Sequence, residues 1–270
     1  MIHFLALLLY IGAFVFWARA LWQGGRGQGT GVAFALAAAG VAAHLFALAG
    51  FVLTYGELPL AGLAPSLSTL ALVMGLGLML TLVLGEASRI GIILVPLIVI
   101  LEGTAAFLGV TPRPGPPLDF RGAWFALHVT LAFAGYGGMA LAFAAGLLYL
   151  VQFHELKGKR LGRLFRFLPP LGTLDRLVRV GTVGGLVTLS LALALGWAWT
   201  VRFRGSFQVG DPQVVWGVFS WVVLVGALAL RLGPGRRERR GALAAVVAFG
   251  VVVAAYLVIR TTMVQGSIFL

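Results

Sequence analysis

Eight apolar segments of membrane-spanning length account for most of this chain. A helix that crosses the hydrocarbon core takes about 20 residues, and only 10% of the 270 residues are charged. A soluble domain of this size could not bury so much apolar surface. The sequence therefore predicts an all-α polytopic integral membrane protein with about eight transmembrane helices, folded as a single transmembrane bundle domain over residues 1–270. The segments run roughly over 2–22, 31–54, 68–85, 90–110, 123–151, 177–199, 212–231 and 241–262.

The basic residues predict the orientation of the bundle. Fifteen of the 20 Lys and Arg residues fall in the loops after the first, third, fifth and seventh segments, and five lie on the opposite side. By the positive-inside rule, the loops 152–176 and 232–240 face the cytoplasm and both termini lie outside. The net charge of +12 then indicates an anionic lipid surface rather than nucleic acid. We predict a multi-pass protein of the inner or plasma membrane, with the lipid bilayer as its partner and no nucleic acid.

The loop 152–176 carries an amphipathic pattern. Leu161, Leu164, Phe165 and Leu168 fall on one face at helical spacing, with basic residues around them, before Pro169 ends the run. This pattern predicts a short helix on the inner leaflet. A docking site for a cytoplasmic partner is the alternative interpretation.

Small residues mark the places where transmembrane helices should approach closely. In the fifth segment they recur at every fourth position, at Ala134, Gly138, Ala142 and Gly146. In the sixth segment, Gly181, Gly184 and Gly185 offer a similar surface. Small side chains at such spacing let two helix backbones come into contact, so we predict packing interfaces at both stripes.

The sequence lacks the patterns of the common catalytic sites. It has no cysteine, which excludes thiolate metal sites and disulfides. It also has no P-loop, no G-x-S-x-G, no H-E-x-x-H and no paired catalytic carboxylates. We therefore expect a protein that is not an enzyme.

Two histidines inside the apolar segments are the candidate ligands. His44 lies roughly 15 Å and His128 roughly 8 Å below the predicted outer ends of their segments, at about 1.5 Å per residue. A histidine in hydrocarbon is costly without a partner or a ligand, and haem iron suits a neutral imidazole in a cysteine-free bundle. Hydrogen bonds to neighbouring carbonyl or hydroxyl groups are the alternative. His3 is expected to be exposed and is the reserve ligand, and His154 is expected to be interfacial at the opposite face.

Glu102 is the single acidic residue well inside an apolar segment. An ionised carboxylate at this depth is expensive. Three interpretations stay open: the carboxyl group is protonated, it faces a water-filled cavity, or it pairs with a histidine. In the last case it would hold the second ring nitrogen of an iron-ligating imidazole.

Several stretches together resemble a known family. The fifth segment opens with His128-Val-Thr-Leu-Ala-Phe-Ala-Gly-Tyr-Gly-Gly and continues through Gly146-Leu-Leu-Tyr to Leu156-Lys157. This run resembles the cytochrome c assembly protein family, and it is the most specific of the matching stretches. The supporting stretches, which extend the resemblance over about 40–262, are Ala43-His44, Pro169-Pro170-Leu, Asp175-Arg176-Leu, Gly210-Asp211-Pro212-Gln, Trp216, Ser220-Trp221, Arg236 to Gly241, and Ala255-Tyr256.

The resemblance implies a haem-handling protein of the cytochrome c biogenesis type. Where the haem-attaching branches of the family have tryptophans, this chain has Phe207, Val209 and Gly210, so it is closest to the smaller HemX-like branch. The implied cofactor is haem b with His128 and His44 as metal ligands, and the implied partners are other cytochrome c or haem biogenesis proteins. Glu102 is a further candidate haem-binding residue, as the partner of a ligating imidazole. Arg202 and Arg204 are candidates for pairing with the propionates. Candidates at the outer lip are Asp211 and Trp216, with Phe207 and Trp221.

Two other functions stay open at this point. One is a regulatory or scaffold membrane protein of haem biosynthesis, which would use its basic loops to hold a partner and its histidines only for packing. The other is a small-molecule transporter with Glu102 as the coupling acid. A haem absorption band in the purified protein would separate these two from haem handling.

Overall fold

The chain folds into a helical bundle. A computed structural model describes residues 1–24, 29–83, 87–112, 122–159, 162–204, 210–233 and 237–262, and these residues contain helices and no strand. The eight longer helices are each long and apolar enough to cross a membrane, which confirms the predicted fold class. The helices are α1 (Ile2–Trp22), α2 (Gly29–Tyr55), α3 (Leu63–Val83), α4 (Gly91–Leu108), α5 (Ala123–Lys157), α6 (Arg163–Phe167), α7 (Leu171–Arg204), α8 (Pro212–Leu232) and α9 (Arg237–Thr262).

Several of these helices are longer than the hydropathy pattern predicted, and three of them extend beyond a predicted end by at least five residues. Helix α3 begins at Leu63, α5 ends at Lys157, and α7 begins at Leu171. Hydropathy measures the part of a helix that sits in hydrocarbon, whereas backbone hydrogen bonding continues into the polar flank. Pro65 fits in the first turn of α3 because the missing N–H has no intrahelical acceptor there.

The long helices pack as two groups that meet along α3 and α5. In the N-terminal group, α1 packs on α2 and α4, and α3 packs on α4. In the C-terminal group, α5 packs on α7 and α9, and α8 packs on α9. The core of the N-terminal group holds fully buried large side chains, including Tyr10, Trp17 and Ile98.

The short helix α6 is attached to the bundle. The helix, Arg163–Phe167, is shorter than the amphipathic pattern predicted. Phe167, Leu168 and Pro169 at its end are buried. Arg89 donates a hydrogen bond to the carbonyl oxygen of Phe167 at 2.8 Å and lies over the ring, 5.7 Å from its centroid. The end of α6 therefore packs against protein, and its position on the inner leaflet stays a prediction. Leu161 lies outside the described residues.

The predicted stripe on α5 is a close backbone contact. A Cβ atom on Gly138 would lie 2.9 Å from the carbonyl oxygen of Gly181 and from the Cα atom of Gly185. A Cβ atom on Gly146 would lie 2.7 Å from the carbonyl oxygen of Ala242 in α9. These contacts confirm the prediction for α5 and for two glycines of α7. It is wrong for Gly184, where a Cβ atom would meet nothing within 4 Å.

Candidate functional site

A polar cluster lies inside the N-terminal group, and each of its four helices supplies one residue. His3 comes from α1, His44 from α2, Ser68 from α3 and Glu102 from α4. His44, Ser68 and Glu102 are completely buried, and the side chain of His3 is 19% exposed. We call these four residues the polar cluster.

The carboxylate of Glu102 is the centre of this polar cluster. Its Oε1 atom lies 2.7 Å from Nδ1 of His3, and its Oε2 atom lies 3.0 Å from Nε2 of His44. The Ser68 hydroxyl is 2.8 Å from Oε2 of Glu102 and also 2.8 Å from Nε2 of His44. Of the three interpretations of Glu102 left open by the sequence, the structure supports pairing with a histidine.

Tyr10 holds the other side of His44. The Tyr10 hydroxyl is 3.4 Å from Nδ1 of His44, and the two rings meet edge to face with centroids 6.1 Å apart. Both ring nitrogens of His44 thus face polar neighbours. Tyr10 lies seven residues after His3 on α1, which places both side chains on one helix face.

His128 lies in the C-terminal group and has a different environment. Its Nδ1 atom is 2.7 Å from the carbonyl oxygen of Ala192 in α7. A carbonyl oxygen only accepts, so Nδ1 carries the proton and Nε2 keeps a free lone pair. Among the described residues, Nε2 has no hydrogen-bond partner. This is the arrangement that a metal-ligating histidine usually has.

His128 lines a cavity of about 260 Å³ bounded mainly by α5, α7 and α8. Aromatic side chains form much of its wall, and Trp216 stacks on Tyr136 with ring centroids 4.5 Å apart. Asp211 also lines the cavity and begins α8, where its carboxylate accepts a hydrogen bond from the backbone N–H of Gln213 at 2.9 Å. The other aromatic lining residues are Phe125, Phe133, Trp197 and Trp199.

The structure divides the predicted site residues between these two places. His128, Asp211 and Trp216 line the cavity, whereas His44 and Glu102 belong to the polar cluster. The two histidines lie in different helix groups, and the binding of a single iron by both stays a prediction.

Of the remaining predicted site residues, Arg202 and Trp221 lie in the C-terminal group, and the others lie wholly or partly outside the described part of the chain. Arg202 is exposed in the last turn of α7. The side chain of Arg204 and all of Phe207 lie outside the described residues. Trp221 donates a hydrogen bond to Ser190 at 2.8 Å and thereby joins α8 to α7.

Sequence reasoning missed Ser68 in the polar cluster, its neighbour Tyr10, and two aromatic residues of the cavity wall. His3 was named as the reserve ligand and was expected to be exposed, but it is partly buried against Glu102. Its seven-residue spacing to Tyr10 was the signal that could have found it. Ser68 gave no signal, since serine is common in transmembrane helices. Trp197 and Trp199 could have been found from the Gly-Trp-Ala-Trp run at the end of α7.

His154 is a control position, distant from both the polar cluster and the His128 cavity. It is exposed near the end of α5, as the sequence predicted. The 26 residues that separate it from His128 place it about 39 Å away along the helix, at roughly 1.5 Å per residue. A substitution there therefore touches neither the cavity nor the polar cluster.

The cavity has the donor set and the walls that a haem group needs. One imidazole has a free Nε2 atom and a fixed ring orientation. Flat aromatic side chains offer surfaces for a porphyrin. The polar cluster, by contrast, contains no large aromatic wall besides Tyr10 among the contacts described above, and its donor atoms already bind one another.

The chain is similar to proteins named HemX and cytochrome c biogenesis protein CcsA, and to an uncharacterised protein. It is 28% identical to the "Uncharacterized 28.8 kDa protein in nifR3-like 5'region" of Azospirillum brasilense over 70% of this chain and 69% of that protein. It is 33% identical to Protein HemX of Bacillus subtilis over 37% of this chain and 35% of that protein. It is 26% identical to the cytochrome c biogenesis protein CcsA of Heterosigma akashiwo over 62% of this chain and 63% of that protein. The chain thus spans less than two thirds of the length of HemX and CcsA.

The family comparison covers most of the bundle. The sequence profile described as "Cytochrome C assembly protein" matches residues 62–265, which begin before α3 and include the whole C-terminal group. The matched range contains His128, most of the residues that line its cavity, and Glu102, whereas His3 and His44 precede it. On this match, and on the eight apolar helices that form the bundle, the chain is a multi-pass membrane protein that belongs to the cytochrome c assembly protein family.

Proposed function

We propose that this protein handles haem during cytochrome c biogenesis and performs no covalent chemistry of its own. The observation that carries this proposal is His128, whose Nδ1–H is fixed on the Ala192 carbonyl while Nε2 remains available beside an aromatic cavity. Relatives named HemX and cytochrome c biogenesis protein CcsA support it. A bound haem would supply an iron centre for ligation, and the protein would supply the ligand, the walls and the exit.

The haem in this proposal is of the b type. The chain contains no cysteine, so it cannot form thioether bonds to a porphyrin, and any haem would be held by ligation and packing alone. His128 is the proposed axial ligand. Trp216 forms part of the wall, and Asp211 fixes the start of α8 at the cavity. Arg202 and Arg204 are proposed partners of the propionates.

The second axial ligand is the less constrained part of the proposal. His44 is the candidate from the sequence, but its Nε2 atom lies 2.8 Å from Ser68 and 3.0 Å from Glu102. Ligation of the same iron would require His44 to give up these contacts. A five-coordinate haem held by His128 alone requires no such change. The spectrum of the haem distinguishes these two arrangements.

The test is the absorption spectrum of the purified protein after haem loading. We expect a Soret band, which His128→Ala should remove or convert to that of a weakly held high-spin haem. A low-spin, six-coordinate spectrum that becomes high-spin in His44→Ala would establish the shared pair. His154→Ala is the matched control and should leave the spectrum unchanged.

Two outcomes would contradict the proposal. The first is full haem occupancy with an unchanged spin state in the His44→Ala/His128→Ala double variant, which would place the site elsewhere. The second is the absence of specific haem binding in the wild-type protein. That outcome would favour a regulatory or scaffold protein, or a transporter.

The orientation of the bundle is also proposed. The distribution of Lys and Arg supports a topology with both termini outside the inner or plasma membrane, in which the His128 cavity lies towards the outer face. Gly158 and Arg237 are exposed at the opposite end of the bundle. Single cysteines introduced at 158 and 237 should therefore resist an impermeant thiol reagent in intact cells. Labelling of both cysteines from outside would show that the bundle has the opposite orientation.

A further inference from the structure

We propose that the polar cluster is a binding site for one divalent transition-metal ion, separate from the haem site. Its three titratable members, His3, His44 and Glu102, each offer one ligand atom, and these atoms all lie within 4.8 Å of one another. Within the described residues, these three form the group of His, Asp and Glu side chains whose ligand atoms lie close enough together to hold one metal ion.

The donor set suits a metal ion of the zinc class. Two imidazole nitrogens and one carboxylate are a ligand combination found in zinc sites that keep an open position. Such a site has ligand atoms roughly 2.0–2.2 Å from the metal, so its ligand atoms lie a few ångströms from one another. The distances from Glu102 to Nδ1 of His3, 2.7 Å, and to Nε2 of His44, 3.0 Å, need only a small expansion to admit the ion. The absence of cysteine excludes the thiolate sites preferred by softer ions.

The neighbours of the three ligands are placed as supporting groups around a metal site usually are. A metal-ligating histidine commonly donates a hydrogen bond from its other ring N–H to a neighbouring acceptor. Tyr10 faces Nδ1 of His44 at 3.4 Å, and its hydroxyl oxygen can accept a hydrogen bond from Nδ1–H when Nε2 binds a metal ion. Ser68 donates a hydrogen bond to Oε2 of Glu102 at 2.8 Å and orients the carboxylate. Both contacts fix ligand atoms towards the centre of the cluster.

The charge of Glu102 gives a reason for a cation at this point. The residue is completely buried within an apolar span, where an ionised carboxylate is costly without compensation. Its described partners are two histidines and a serine, and none of these carries a permanent positive charge. A bound dication compensates the carboxylate and leaves both imidazoles neutral, the form in which they bind metals. A proton shared with an imidazole is the rival arrangement.

The site is accessible from one end of the bundle. His3 lies in the first turn of α1, and its side chain is 19% exposed, whereas the other two ligands are fully buried. A metal ion could therefore enter past His3 without unfolding the N-terminal group, which supplies the entry path that a metal site requires.

The experiment measures zinc binding to the full chain, purified without a polyhistidine tag and free of haem. Zinc is removed with a chelator, and Zn²⁺ alone is then titrated in competition with a chromophoric chelator. We expect one equivalent per chain. Replacement with Co²⁺ should give the visible absorption bands of a four-coordinate site with nitrogen and oxygen ligands.

The variants separate ligands from their supporting groups. Glu102→Gln and His3→Gln remove a ligand and should weaken zinc binding at least about 100-fold, beyond the roughly 10- to 100-fold typical of a supporting partner. Tyr10→Phe should weaken it by roughly tenfold and leave the Co²⁺ spectrum in place. His154→Ala and His128→Ala should change neither the zinc affinity nor the Co²⁺ spectrum. An unchanged result for His128→Ala would also show that the metal site does not depend on the proposed haem ligand.

Three outcomes would overturn the proposal. One is a wild-type protein that binds no zinc above the level of His3→Gln. Another is equal zinc affinity in the wild type and Glu102→Gln. The third is a Co²⁺ spectrum of the free, hydrated ion. His3→Gln keeps the test decisive if the buried Glu102→Gln variant does not fold, because His3 is partly exposed at a helix end.

Discussion

The histidine environments of the two helix groups differ in whether the hydrogen bonds of the imidazole ring are complete. In the N-terminal group, His44 meets Tyr10, Ser68 and Glu102, so both ring nitrogens have neighbours. In the C-terminal group, His128 has one hydrogen bond within the described part of the chain, to the Ala192 carbonyl, and its second nitrogen lies beside a cavity. In the absence of a metal ion, the closed network stabilises a particular packing of helices, whereas the incomplete one leaves a ring nitrogen available beside a cavity large enough for an organic ligand. A position inside an apolar segment therefore does not by itself show which of these two environments a histidine has.

The difference also extends to how each group holds its helices together. The N-terminal group places polar side chains from four helices in one contact. The C-terminal group instead brings the backbones of α5 and α7 together at glycines. Polar contacts and close backbone packing are the two main sources of helix association in a bilayer. Each group uses one of them at its centre.

The strongest test of this comparison removes the centre of the closed network. Glu102→Ala deletes the partner of three side chains, and at roughly 0.6–1.7 kcal/mol for each polar contact in a membrane protein we expect a loss of about 2–5 kcal/mol in the free energy of unfolding. His128→Ala deletes one hydrogen bond and should cost about 1 kcal/mol. Unfolding of metal-free and haem-free protein in detergent measures both. Equal losses would remove the distinction between the two environments.

The next test addresses the backbone contact of the C-terminal group. Gly138→Leu places a side chain where the backbone of α7 lies, so we expect a destabilisation of about 1–3 kcal/mol. Gly184→Leu is the matched control on α7, because a side chain there meets open space, and it should change the free energy by less than about 0.5 kcal/mol. The same unfolding measurement applies. A neutral Gly138→Leu would show that the two helices are not held by this contact.

The smallest expected effect concerns ligand binding without a change of fold. A Cβ atom on Gly196 would lie 2.7 Å from Cε1 of His128 and 2.9 Å from Nδ1, so Gly196→Ala should push the ring away from the Ala192 carbonyl. We expect haem affinity to fall about tenfold, equivalent to roughly 1.4 kcal/mol. A Soret titration measures the affinity, with Gly184→Ala as control. Unchanged affinity would show that the orientation of His128 does not control binding.

Most of the fold was predictable because one physical variable determines it. Apolar length specified the eight spans, and the errors at Leu63, Lys157 and Leu171 arise where helices leave the hydrocarbon core. The close approach of α5 to α7 at Gly138 was also predictable, since small residues at every fourth position have few other uses in a bilayer helix.

The lateral arrangement of the helices was not predictable in the same way. Sequence gives the depth of His44 and His128 but not which helices become neighbours, and the pairing of both on one iron was inferred from their apolar surroundings and from the family resemblance. The structure places His44 beside Glu102 and His3, and the shared iron stays a prediction. The contact between His3 and Glu102 joins residues 99 positions apart, and neither hydropathy nor charge distribution contains that information.

The glycine contact between α5 and α7 determines the rotational phase of His128. His128 and Gly135 are seven residues apart, close to two full turns, and both face α7: His128 touches Ala192, and a Cβ on Gly135 would lie 3.3 Å from the Gly185 carbonyl oxygen. One added or deleted residue between them would turn the imidazole by about 100° around the helix axis. The length of this seven-residue interval is therefore as restricted as the identity of the histidine, and lineages of this protein should tolerate substitutions within it far better than insertions.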